Sequence, residues 1–498
     1  MNDYHIAVLD VGKTNKKILV YNANLELIEI KSKKFDEKSA NGINFDDVEG
    51  LWQWTLETLR AISSLYNIKV ISVSTHGATF VTVDEQGNMV VPEISYTTDP
   101  GEDFHKEFYA LVGDRIQLQK QTATPDFNLL INLAKGIYFV KRKFADQFDK
   151  VRWILHYPQY FGFKFTGNVS ADPTYTGNHS YMWDFIKMNW SGVADKLGVR
   201  EMLPKQLKNP WEILGTLKPD VAEVTGLNPD VLVTVGIHDS NASMLPYLVT
   251  MEGDFMLNST GTWCVVMHEK DRVAFAPDEL GKVVFYNMNS FFKPIKTAIF
   301  LGGMEFEHYM NLLEKIHGVI EFPSFDKKLY QRVISENDKF ILPSVAKGIG
   351  QFPDSLPRVV EGDRIYPLDD IERGKAIPGF FKNFETTCAV LNLSMAMQTK
   401  VAFDRADITA GLPVFTEGGF TKNEGYNALM ASFFPDSDFY LTDLKEATAY
   451  GAAMLGKVAV EQIALSNMKD LVHIEKHKVQ STGLNGIFDY YTHFLEML

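Results

Sequence analysis

Several short segments combine small, hydroxyl and carboxylate residues in patterns that suit phosphate and hydroxyl chemistry. Asp10-Val-Gly-Lys-Thr-Asn-Lys-Lys17 follows a short apolar run. Gly12 lets the backbone turn tightly there, so that successive N–H groups form a concave anion site. Thr14 and Asn15 can hydrogen-bond phosphate oxygens, Asp10 can organise a hydrated Mg2+, and Lys13, Lys16 or Lys17 can add positive charge. The spacing is not that of a Walker loop, and an ordinary hairpin with a capping Asp would use the same residues. Gly236-Ile-His-Asp-Ser-Asn-Ala-Ser243 follows the apolar run VLVTV. A strand ending in Asp brings that carboxylate to the edge where open α/β sheets bind ligands, and Asp239 there can accept a proton from an attacking hydroxyl. Capping of a helix by Asp239 or Ser240 is the competing use. His238 has no second His at ligand spacing, so a zinc site has little support.

The second half repeats this logic. In Asn258-Ser-Thr-Gly-Thr-Trp263, Gly261 and Thr262 can wrap phosphate, although a plain type I′ or II′ turn also favours Gly. Glu417-Gly-Gly-Phe-Thr-Lys-Asn423 ends a strand and opens a helix. Its Gly418 and Gly419 let a flat ring approach the backbone, or simply connect the two elements. Lys445-Glu-Ala-Thr-Ala-Tyr-Gly-Ala-Ala453 is a helix of small residues, suited to close packing at a domain interface.

The elements that must hold these segments follow from periodicity. Tyr4–Leu9, Ile18–Tyr21 and Leu25–Ile30 read as a meander, and 45–66 as a helix capped by Asp46 or Asp47. The run at 68–74 reads as a buried strand, and TFVTV and MVVPEIS as a hairpin around the turn at 84–88. Later, Gly253–Asn258, Thr262–His268 and Lys282–Asn287 are strand-like. A helix at 385–406, a strand at 412–419 and a further helix, strand and helix follow. The shared pattern predicts structural duplication, with domains at 1–245 and 246–498.

Composition sets outer limits. A chain of 498 residues suits about two to four packed units. Net charge of −14 disfavours a broad nucleic-acid surface. The two cysteines, Cys264 and Cys388, exclude a disulfide framework, and two unpaired thiols are a simpler reading than one bridge. The N-terminal stretch lacks the basic and apolar regions of a signal peptide, and no apolar run reaches about 18 residues. These features predict a cytoplasmic protein without nucleic-acid or membrane partners. Segment 305–375 yields no function.

In series, these segments resemble the FGGY carbohydrate kinases, within the larger group that shares the actin and hexokinase fold. The resemblance runs from Val8 to about Leu455, strongest at DVGKTNKK, GIHDSNAS, STGTW, GGFTKN and EATAYGAA. Residues 73–100 and Trp263 look most like rhamnulokinases and fuculokinases. The resemblance implies an α/β fold of two ribonuclease H-like domains flanking a central cleft, with ATP and Mg2+ as cofactors. It makes Asp239 the general base and Asp10 the ligand of Mg2+–ATP. Gly12, Thr14, Asn15, Lys17, Gly261 and Thr262 would surround the phosphates, and Gly418, Gly419 and Asn423 the nucleoside. The sugar would lie against His76, Gly77, Thr79, Asp99 and His238.

The chain departs from the family pattern at Lys13 and Asn15, at HGAT (76–79), where Thr79 replaces a sugar-binding Asp, and at YTTDP, which lacks an Arg. The implied reaction is phosphorylation of a small ketose, a deoxyketohexose or pentulose, with a homodimer left open. A non-catalytic sugar- and ATP-responsive binding protein is the alternative, and a polymer-forming or chaperone ATPase a third reading.

Overall fold

The computed structural model describes residues 4–318, 321–346 and 349–498. Residues 1–3 of the N-terminal stretch, and 319–320 and 347–348 of segment 305–375, lie outside the described residues.

Alternation of apolar residues builds the first sheet. Strands β1 (His5–Val11), β2 (Asn15–Asn22) and β3 (Leu27–Lys34) form the expected meander. Helix α1 (Val48–Ser63) starts where Asp47 accepts the Gly50 N–H, and leads to β4 (Ile68–Thr75), parallel to β1. Adding β5 (Ile213–Thr216) and β6 (Leu232–Thr234) gives the order β5-β6-β4-β1-β2-β3, with β7 (Ile237–His238) also on β4. Period-two burial sends Ala7, Leu9 and Val11 toward α1, and Ile6 and Val8 toward the opposite face. Strand β7 runs directly into helix α2 (Asp239–Thr250).

The second sheet has the order β10-β11-β9-β8-β12-β13-β14. Its strands are β8 (Met256–Thr260), β9 (Cys264–Glu269), β10 (Val284–Met288), β11 (Pro294–Phe300), β12 (Val414–Gly418), β13 (Phe439–Thr442) and β14 (Lys476–Lys478). Helices α3 (Gly302–His317), α4 (Phe384–Arg405) and α5 (Glu424–Phe433) cover one face through Leu313, Leu391, Leu393 and Leu429. The chain is thus α/β, with two sheets of related strand order. No helix among the described residues is long and apolar enough to cross a membrane.

Three local expectations are corrected. The strand beside β9 is β11, and β10 lies outside it, because Asn289 closes a tight turn by accepting the Phe291 and Lys293 N–H groups. MVVPEIS does not complete a hairpin: Val90 N–H reaches Thr82 O, then Pro92 lacks the donor to continue. Phe80–Val83 pairs instead with Trp153–His156. Gly261 lies outside the left-handed backbone region, which rules out a type I′ or II′ turn based on it.

Helix α2 serves both sheets. Ala242 and Leu245 pack with Ile6, Val8 and Val70, whereas Met244 and Tyr247 pack with Leu257, Met267 and Phe415. The small-residue helix α6 (Ala447–Glu461) crosses α2 and returns to the first sheet, where Ala449, Ala452 and Leu455 join that core. Pro246 has no N–H for the Ala242 carbonyl four residues earlier, and Gly451 faces that oxygen: a Cβ there would lie 1.9 Å from it. The α-hydrogen in that direction makes a weak C–H···O contact instead. Gly451→Ala should gain about 0.5–1 kcal/mol of helix propensity and lose more to the clash. A net loss of about 2 kcal/mol in urea unfolding is expected; an unchanged midpoint would show that the crossing is not tight.

Candidate active site

Two strands set the carboxylates side by side. Asp10 on β1 is in register with Ser74 on β4, and Ile237 on β7 is in register with the same Ser74 from the other side. Asp10 and the residues leading into Asp239 therefore reach one carboxyl edge of the sheet. Asp239 is the first helical residue of α2, not its cap, and its Oδ1 accepts the Ser240 N–H at 2.6 Å. Burial raises the Asp10 carboxyl to about 7; the Asp239 charge adds to the rise, Lys17 opposes it and Glu446 adds a smaller push. Burial also raises Asp239, opposed by His76 and the Ser240 hydrogen bonds. The Asp239 side chain keeps 32% of its surface open, so a ligand can reach it.

The lysines of the first hairpin are all engaged. Lys17 pairs with Glu446 at 2.6 Å, at the start of α6, where Glu446 holds a left-handed φ of 51°. Lys16 is buried and donates to the carbonyls of Gly12 and Lys13 at 2.8 and 2.7 Å. Lys13 turns away from the hairpin tip toward Glu37, Asp46 and Ser95. Thr14 and Asn15 remain exposed at the tip, and a Cβ at Gly12 would come 3.0 Å from the Asn15 carbonyl.

His76, Gly77, Thr79 and His238 gather behind Asp239. His238 Nε2 lies 2.8 Å from Asn178 Nδ2 and 3.2 Å from Asp239 Oδ1, and a Cβ on Gly77 would meet that nitrogen. His76 Nδ1 bonds the Gly77 carbonyl at 3.1 Å; a carbonyl only accepts, so this nitrogen carries the proton. Burial lowers both imidazoles to about 3, leaving them neutral. Thr79 is buried against the Tyr175 hydroxyl, and Ala78 takes a left-handed φ of 61°. Asp99 is not brought into this group: it sits on an exposed turn, accepting the Gly101 N–H.

In the second lobe, β8 and β12 place Thr260 beside Gly418. A Cβ on Gly418 would lie 2.1 Å from the Thr260 carbonyl, so the hairpin and the glycine pair require each other. Gly261, Thr262, Gly418 and Gly419 are exposed. Asn423 is buried, caps α5 through the Tyr426 N–H and exchanges two hydrogen bonds with Asn392, so its side chain is committed internally. Gly302 and Gly303 also belong here, since a Cβ on Gly303 would fall 2.0 Å from the Gly261 carbonyl. The signal for them was an apolar run ending in two glycines before a helix, as at 412–419. Glu417, raised to about 7 by burial, accepts the Tyr247 hydroxyl of α2 at 3.2 Å. The absence of a left-handed φ at Gly12 and Gly261 means close approach, rather than turn type, is what these positions allow.

Among the described residues, no group of three or more His, Cys, Asp or Glu side chains converges on a metal position. The pair Asp10 and Asp239 fits a hydrated Mg2+ that takes its remaining ligands from phosphates. Both cysteines are free and buried, with thiols pushed up to about 12.

Residues 5–246 match the N-terminal domain of the FGGY family of carbohydrate kinases, and residues 252–464 its C-terminal domain. A rhamnulokinase of Oceanobacillus iheyensis is 22% identical over 99% of this chain and 98% of its own length. An L-fuculokinase of Escherichia coli is 24% identical over 91% of each chain. A solved xylulose kinase from Lactobacillus acidophilus superposes with a TM-score of 0.80 at 15% identity, covering 99% of this chain and 96% of that one.

The raised pKa of Asp10 makes a stability statement. Its carboxyl moves from 3.8 to about 7 on folding, so its contribution is fully present below pH 3.8 and is lost as pH rises through 7. Asp10→Asn should therefore be more stable than wild type at pH 8, by on the order of 2 kcal/mol after discounting for partial exposure. Urea unfolding should show the gap closing by pH 4; a constant gap would refute the shift.

Proposed function

From its membership of the FGGY family of carbohydrate kinases, in which a sugar is phosphorylated at the expense of ATP, we propose that this chain uses Asp239 as general base on a ketose. The observation that carries the proposal is the shared register at Ser74. It sets Asp10 and Asp239 at one sheet edge, with Asp239 partly open. The division into 1–245 and 246–498 is supported by the two sheets, drawn from residues 5–238 and 256–478.

In this reading Asp239 orients a primary hydroxyl and takes its proton as the hydroxyl oxygen attacks the γ-phosphorus and the bond to the β,γ-bridging oxygen breaks, releasing ADP. Asp10 holds the hydrated Mg2+ of the nucleotide. When bound, that ion supplies neutralisation of phosphate charge. The exposed backbone N–H groups around Thr14 and Thr262 face the phosphates, and Lys17 exchanges Glu446 for a phosphate oxygen. Gly418 and Gly419 leave room for the nucleoside. His76, Gly77, Thr79 and His238 shape the sugar side, with neutral imidazoles that add no charge next to the base. Closure of the two lobes would exclude water as the acceptor.

A deoxyketohexose of the rhamnulose or fuculose type is the favoured acceptor, supported by the likeness to rhamnulokinase and L-fuculokinase across nearly the whole chain. A pentulose is the next choice. Coupled ADP release from Mg2+–ATP across ketopentoses, deoxyketohexoses and polyols tests this. One ketose far above the sugar-free background is expected; turnover with a polyol and with no ketose would overturn the assignment. Asp239→Asn should keep both substrate affinities within a few-fold and lower kcat by about 10²–10⁴. Near-normal kcat in that variant would remove Asp239 from the base role.

A further inference from the structure

We propose that Lys13 is a positioning residue that ties the phosphate-side hairpin to the sugar-side wall, so that filling one half-site tightens the other. The inference rests on the assignment of those half-sites made above.

Lys13 belongs by sequence to the phosphate hairpin, but its ammonium does not face the tip. It lies 2.7 Å from Glu37 Oε1 and 3.1 Å from Asp46 Oδ1, and donates to Ser95 Oγ at 2.8 Å. An ammonium has three N–H groups, so these partners use all of them and leave none for a phosphate. The same nitrogen stands 5.2 Å from the Tyr96 ring centre. Tyr96 meets the His76 ring at 5.9 Å, and His76 Nε2 lies 3.9 Å from Asp46 Oδ2. The contacts thus close a ring, from Lys13 to Tyr96 to His76 to Asp46 and back to Lys13. One member is part of the phosphate hairpin, and another leads directly into the Gly77–Thr79 wall.

Segment 93–98 has few other ties to the hairpin. Most of its other bonds run to residues 37–46, among them Ser95 N–H to Asn44 O at 2.8 Å, Thr97 Oγ1 to Glu37 at 2.8 Å and Asp46 N–H to Glu93 at 3.0 Å, while the Tyr96 carbonyl accepts the Leu130 N–H at 3.1 Å. Lys16, the nearest other cation, is committed to the Gly12 and Lys13 carbonyls. Without the Lys13 charge, Glu37 and Asp46 would face each other as like charges, beside a Glu93 carboxyl that burial already holds up at about 8, and the wall would move away from the hairpin. Lys13 also offers its own carbonyl to Lys16, so a shift in the hairpin backbone on phosphate binding is carried into the wall through one residue.

A residue that merely held the fold together would lower stability without altering communication between half-sites, so the test reads communication. Hydrogen exchange is followed at 76–79 and 93–98 with Mg2+–AMP-PNP alone, which needs no sugar. Wild type should gain protection there, Lys13→Met should not, and Lys13→Arg should recover part of it. The ketose selected by the panel, L-rhamnulose first, is then titrated with and without the nucleotide. Its Kd should tighten about 5–50-fold in wild type, a coupling within the usual range, and less than 2-fold in Lys13→Met. Ser95→Ala, which removes one Lys13 partner and no charge, should reduce the coupling by an intermediate factor and covers the case in which Lys13→Met fails to fold. Folded Lys13→Met with wild-type exchange protection, or wild type without any, would overturn the proposal. Absence of ketose turnover in wild type would instead count against the kinase reading, and the exchange result would still decide the role of Lys13.

Discussion

The carbonyl of Ala242 lacks its regular helical donor, because Pro246 stands where that N–H would be, and the bare backbone of Gly451 meets it. That contact lets α2 and α6 cross at backbone distance. It also holds α2 between the two sheets, with Ala242 and Leu245 turned to one core and Met244 and Tyr247 to the other. Asp239 sits at the first turn of this same helix, so its position is set by both lobes at once. Glu417, one residue before the glycine pair, reaches the helix from the second lobe through Tyr247. The reacting edge and the nucleotide-side turn therefore share one rigid element.

Charge in the cleft is arranged by a second constraint. The buried imidazoles of His76 and His238 are neutral, so the cations near Asp10 and Asp239 are lysines, and each lysine already has a partner. An incoming phosphate competes with Glu446 for the Lys17 charge. The two carboxylates repel each other, which disfavours the fully ionised empty site and favours a divalent cation there. Binding energy at this site is thus set partly by competition between partners already in place.

Much of this was legible in the residues because it depends on local pattern. Alternation at Ile6–Val11 and the three-to-four spacing of Leu51, Leu59 and Ile62 give the first sheet and its helix, and Asp47 gives the cap. The order of carboxylate, glycine and hydroxyl segments gave the family, whereas the shared edge of Asp10 and Asp239 shows only in the register at Ser74. What was missed depends on partners distant in the chain. Lys13 is turned by Glu37, Asp46 and Ser95, Asn423 by Asn392, and Phe80–Val83 by Trp153–His156. The requirement for Gly303 arises from the Gly261 carbonyl, and no spacing rule connects those two positions. Asp99 shows the converse: the resemblance set it beside the sugar, but nothing local says that its turn faces outward.

The return of α6 to the first sheet has a consequence for how the protein is made. Ile6, Val8 and Val70 leave the ribosome long before Ala449, Ala452 and Leu455, which cover the face they form. The N-terminal lobe cannot finish its core while the second lobe is still being translated, and it must wait with an apolar sheet face uncovered. The first sheet is therefore closed only after most of the second lobe has been made.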